Sequence, residues 1–244
     1  MENNSNNYVY DNVIQLDDSE TASRKYLGKV FTWMFVALGI SALVAFEFAT
    51  NLSLLSLIIN PAIGGFTTLG YIALFAPLAF SLVINFGFNR ISYVGMVAIF
   101  LAYAVSIGVT LSILGLIYTS GSIFGVFLSA ALVFGVMAIA GYTTRTDLTK
   151  MGSILGVIFI GAFLVGLVNF FIGSSQLQYI ISFVFVIVLV GLTAYYMQML
   201  KRIGAGLEYG AESSKKLVII GAFILYTTFI NLFMSMLRIF GNRR

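Results

Sequence analysis

The chain has 244 residues, 60% of them hydrophobic and only 9% charged, with a mean hydropathy of +1.02. A soluble domain of this size needs about 25% charged residues to cover its surface, so a water-facing globule is excluded and the outer surface is meant for lipid. The net charge of +4 sits in loops and ends, where it reports orientation rather than nucleic-acid binding.

Residues 1–29 are polar, with Asp11, Asp17, Asp18 and Glu20 followed by Arg24, Lys25 and Lys29. This composition predicts a mobile N-terminal tail. The segment lacks the basic start, short apolar core and small-residue cleavage site of a signal peptide. A single membrane domain, residues 30–244, follows. Its apolar spans are 30–50, 65–88, 93–118, 122–142, 152–173, 177–200 and 217–240. Each is near or above the roughly 20 residues that cross a bilayer as a helix. Pro61 and the pair Gly64-Gly65 mark the linker before the second span, and residues 52–59 have the make-up of a short interfacial helix. The predicted fold class is therefore an all-α membrane protein with about seven transmembrane helices.

Charge placement supports the same count. Arg24, Lys25, Lys29, Arg90, Arg145, Lys150, Lys201, Arg202, Lys215 and Lys216 all fall on one side, and the three intervening loops carry no basic residue. By the positive-inside rule the N-terminus is cytoplasmic. Arg243 and Arg244 oppose that rule if the last span crosses fully, and agree with it if the span re-enters. Glycines punctuate the fifth span, including the GxxxG pair Gly152–Gly156. Such a pair can serve a dimer interface or close packing within one bundle. Pro77 removes a backbone donor inside the second span and predicts a kink.

Residue types narrow the chemistry. Without Cys there is no thiol catalysis, disulfide or thiolate metal site, and without His no imidazole base or ligand. A serine–histidine intramembrane protease is excluded, and an aspartyl one needs two membrane aspartates, whereas the one Asp beyond the tail is loop Asp147. No GxxxxGK[ST] loop is present. The expectation is a protein that is not an enzyme and needs no cofactor or metal.

Ionisable groups within the spans are Glu47 and Arg238, both near span ends, with Arg90 at the turn after the second span. A charge in the membrane calls for a functional reading, a pathway or an ion pair among these groups, although groups near the ends can also snorkel. Thr227, Asn231 and Ser235 recur at i, i+4 and i+8, with Arg238 three residues on, and form a polar stripe on the last helix. A stripe this polar predicts a central, surrounded helix. Asn85, Asn169, Thr193, Tyr196 and Gln198 are uncharged groups that can meet it, as the wall of a hydrated path or as interhelical hydrogen bonds.

Four segments carry a family resemblance. FINLFMSMLRIFG, from Phe229 to Gly241, resembles the last transmembrane segment of the Bax inhibitor-1 family, also called TMBIM or YccA-like. GYTTRTDLTKMG, from Gly141 to Gly152, is similar to its loop between the fourth and fifth helices; LVNFF, from Leu167 to Phe171, to its fifth helix; and TAYYMQMLK, from Thr193 to Lys201, to the end of its sixth. The resemblance implies six helices around a hydrophobic seventh and a pH-sensitive calcium leak across a bacterial or endoplasmic membrane. The family's pH-sensing aspartate pair falls here on Tyr196 and Thr228. Two nearby carboxylates can share a proton and so form a latch; Tyr and Thr cannot do so near neutral pH. The resemblance thus implies an ion leak without its proton latch, with Tyr196, Thr227, Thr228, Asn231, Ser235, Asn169 and Glu47 as candidate pathway residues. The alternative is a non-transporting regulator that binds another membrane protein, such as a quality-control protease. Short tails and the lack of an endoplasmic retrieval motif point to a bacterial plasma membrane.

Overall fold

The computed structural model describes residues 5–60, 65–88, 90–206 and 212–244, with side chains described from residue 19 onward except Asn85. Pro61, Gly64 and the side chains of Asn85, Asp11, Asp17 and Asp18 lie outside the described residues. The helices are α1 (Ser5–Thr50), α2 (Leu52–Ile58), α3 (Thr68–Phe86), α4 (Tyr93–Ser112), α5 (Leu114–Ile117), α6 (Ser120–Thr143), α7 (Thr149–Ile172), α8 (Ser175–Ala205) and α9 (Glu212–Phe240). Two two-residue strands, β1 (Ile59–Asn60) and β2 (Gly65–Phe66), pair antiparallel between α2 and α3.

Hydroxyl side chains set several helix starts. Thr67, Ser92, Thr119 and Ser174 each accept a hydrogen bond from the backbone N–H three residues on. This satisfies one of the donors that a first helical turn leaves unpaired. Among the described residues, six helices are long and apolar enough to cross a bilayer; α3 carries a shorter apolar stretch, Thr68–Ile84. The protein is an all-α, multi-pass membrane protein. Pro77 lies inside α3, and its missing N–H leaves the Ala73 carbonyl without an intrahelical donor. Thr110 Oγ1 of α4 reaches that carbonyl at 3.5 Å.

The polar tail is not separate from the first span. One helix runs from Ser5 to Thr50, and Ser23, Tyr26 and Leu27 are buried. Tyr26, Leu27 and Val30 lie at i, i+1 and i+4, so the packed face of α1 starts upstream of its apolar composition. Ser23 donates to the Lys201 carbonyl at 2.8 Å and Tyr26 to that of Leu217 at 3.0 Å.

α9 is the axis of the bundle, with two thirds (67%) of its apolar window buried. It packs directly against α1, α4, α6 and α8, while α3 rests mainly on α4 and α7 on α8. The expected ring of six is therefore an inner set of four with two outer helices. Lipid supplies no hydrophobic drive between helices, so close approach must come from small residues. At Gly108 a Cβ would strike Ser41 and Val44 of α1, and at Gly141 it would strike the Ala194 backbone of α8. Gly152 faces the Tyr195 ring, whereas Gly156 has open space around it. The GxxxG pair thus places one glycine in packing within the bundle.

α9 is one continuous helix of 29 residues, the arrangement of a full crossing rather than of a re-entrant segment. It starts beside Tyr93, whose N–H donates to Glu212, and ends where Asn242 and Arg244 hydrogen bond to the α5–α6 junction. Its start shares one end of the bundle with the basic residues named above. Arg243 and Arg244 lie at the opposite end.

Candidate functional site

Along α9 nearly every residue from Val218 to Leu237 is buried except Ile220, Ile224, Thr227, Asn231 and Met234, which are half-buried. At 3.6 residues per turn these five share one face. Against that face lies a cavity of about 160 Å³. Its α9 wall is Phe223, Ile224, Thr227, Thr228 and Asn231; Leu189, Leu192 and Tyr196 of α8 and Phe159 of α7 face them. The volume admits several waters, and hydroxyl and amide groups are there to bind them.

Four of the candidate residues therefore meet: Tyr196, Thr227, Thr228 and Asn231. Thr227 Oγ1 lies 3.3 Å from Tyr103 Oη of α4. Thr228 donates to its own helix at the Ile224 carbonyl, 2.7 Å away. The Asn231 carboxamide makes no hydrogen bond to another described residue and is available to a water or solute in the cavity. Among the described residues, the cavity wall has no carboxylate.

The other candidates lie elsewhere. Ser235 is buried outside the cavity lining. Asn169 joins α7 to α8: its carboxamide donates to the Ser174 carbonyl and accepts from the Ser174 N–H, both at 3.1 Å. It is a corner residue, not a wall of a path. Glu47 and Arg238 are exposed at one end of the bundle and Arg90 at the other. None of them forms an ion pair among the described residues, so the expected charge pairing is not made. The stripe is also less enclosed than its polarity predicts, because Thr227 and Asn231 sit on the one open face of α9.

Two groupings escaped the sequence. Ser41 of α1 lies 2.5 Å from Tyr226 Oη and donates to the Ala104 carbonyl at 2.8 Å. Tyr226 packs edge-on against Phe100 and Tyr103, whose ring also meets Phe223. This aromatic cluster joins α1, α4 and α9 beside the cavity. The signal was weak because a single Ser or Tyr in an apolar helix has no periodicity.

The second grouping clasps the α6–α7 loop onto α8. Gln198 accepts from the Leu148 N–H at 2.9 Å and donates to the Thr146 carbonyl at 2.8 Å. Lys201 donates to the Tyr142 carbonyl at 2.9 Å, and Arg202 pairs with Asp147 at 2.9 Å. The Thr149 hydroxyl and N–H, together with Arg202, pull the Asp147 carboxyl down to about 2.

The family model described as "Inhibitor of apoptosis-promoting Bax1" matches residues 23–244. The chain belongs to the Bax inhibitor-1 family. Inner membrane protein YbhL of Escherichia coli strain K12 is 38% identical over 220 residues, 90% of this chain and 92% of its own length. A Borreliella burgdorferi protein is 38% identical over 222 residues, 90% and 93% of the two chains. Rickettsia prowazekii RP147 is 37% identical over 223 residues, 91% of each. The match begins at residue 23, inside α1, in line with the buried Ser23 and Tyr26.

Proposed function

We propose that this Bax inhibitor-1 family protein is a passive cation leak, calcium being the expected ion, in a bacterial plasma (inner) membrane, with its N-terminus in the cytoplasm. The cavity between α7, α8 and α9 carries the reading. It places Tyr196, Thr227, Thr228 and Asn231 around water-sized space midway along the axial helix. Hydroxyl and amide oxygens can replace part of an ion's hydration shell. With Tyr196 and Thr228 where a shared-proton pair would stand, passage is not steeply controlled by pH near neutrality. The groups at the site bind and position water; no covalent step is required. The clustered basic residues at one end support the orientation.

The test is calcium entry into liposomes holding the purified protein, against protein-free liposomes and against Asn231→Leu. The reading expects entry above the protein-free control and a several-fold fall in the variant. Entry no faster than the control would overturn it and favour a regulator that binds another membrane protein.

A further inference from the structure

The open face of α9 does not stop at the cavity. Ile224, Thr227, Asn231, Met234 and Arg238 follow one another at three- and four-residue steps, and all are at least partly exposed, while the other residues between Ile224 and Arg238 are buried. Arg238 is exposed in the last turn of the helix. α9 has 29 residues, so at about 1.5 Å per residue it is longer than the roughly 30 Å hydrocarbon layer. Its apolar part begins at Leu217, which puts Arg238 near headgroup depth.

The same end carries exposed Arg243 and Arg244. Glu47, the acidic residue at that end among the described residues, makes no ion pair with any of them. A guanidinium at this depth is matched by a phosphate, which its planar fork can bind with two parallel hydrogen bonds. We infer that this open face of α9 holds one anionic phospholipid, its phosphate on Arg238 and an acyl chain along Met234, Asn231 and Ile224. Charge complementarity selects the occupant: zwitterionic lipid carries its own cation and gains less from the three arginines at this end of the bundle. The bound chain closes the side of the cavity that protein leaves open. The inference does not depend on ions crossing.

The test is lipid retention by the full chain. Protein is reconstituted into nanodiscs of equal phosphatidylglycerol and phosphatidylcholine, extracted in mild detergent, and weighed with its adducts by native mass spectrometry. Wild type is expected to retain phosphatidylglycerol preferentially. Loss of a charge-assisted contact in Arg238→Gln should lower that retention about tenfold, while Arg238→Lys keeps a substantial part of it. Arg202→Gln, at the other end, should retain lipid as wild type does. Met234→Trp, which crowds that face and keeps the charge, should also reduce retention. Equal retention of the two lipids by wild type, or undiminished phosphatidylglycerol in both Arg238→Gln and Met234→Trp, would overturn the inference.

Discussion

α7 and α9 are both long, apolar helices, yet 6% of the first's apolar window is buried in the bundle and 67% of the second's. In water such a difference would show in composition, because an exposed helix needs a polar face. In lipid the exposed face is apolar too, so mean hydropathy does not rank helices by depth. What separates these two is the placement of polar groups. On α7, Thr149, Ser153 and Asn169 sit toward the ends, where carbonyls and loops receive them. On α9, Tyr226, Thr227, Thr228 and Asn231 stand mid-helix, where partners or a cavity must be supplied. A mid-span polar group is costly against lipid tails, and the fold places it inside.

The largest expected effect comes from closing a helix crossing. Gly141→Val drives a side chain into the Ala194 backbone of α8 and should cost about 1–3 kcal/mol, the usual range for overpacking. Gly161→Val on α7 meets open space and should change stability by less than about 0.5 kcal/mol. Thermal unfolding of both variants in one detergent measures the contrast, and equal losses would break it.

A smaller effect separates the hydroxyls. Tyr226→Phe removes the hydrogen bond to Ser41 inside the bundle and should cost about 0.6 kcal/mol, with about 1.7 as a ceiling. Tyr179→Phe, on an exposed ring of α8, should be close to neutral. If Tyr179→Phe costs as much, the depth assigned to these helices is wrong.

The smallest effect belongs to the loop clasp. The folded-state pKa of Asp147 is lowered to about 2 from the ordinary 3.8. Its contribution is therefore complete above about pH 4 and is lost as pH falls through about 2. Stability should show no Asp147 dependence between pH 6 and pH 8, and Asp147→Asn should flatten only the acid limb of a melting-temperature profile. A difference between variant and wild type that itself changes between pH 6 and pH 8 would show that the clasp responds to physiological acidity.

Much of the site was legible because spacing carried it. The i, i+4 steps of Thr227 and Asn231 put both on one helical face, and the family motifs put Tyr196 and Thr228 in register. Those four do line one cavity. Ser41, Tyr103 and Phe159 were not legible, since which outer residues face α9 depends on helix rotations that no local pattern encodes. Asn169 was misplaced for a local reason: five residues before Ser174, it closes the α7–α8 corner. Phe229 shows the same limit. It is buried against Phe127 and Phe134 of α6, partners that residue type and spacing do not assign. The reach of α1 into the tail was hidden because charged neighbours mask the face made by Ser23, Tyr26 and Leu27.

The most direct test of a leak without a proton latch is calcium flux into proteoliposomes at pH 6 and pH 8. Wild type and the double variant Tyr196→Asp with Thr228→Asp should be run side by side. Both positions line the same cavity, so restoring two carboxylates there should create a shared-proton pair and a marked difference between the two pH values. The wild type, with no carboxylate on the cavity wall, should conduct at similar rates in both conditions. Steep pH gating in the wild-type chain would contradict the account.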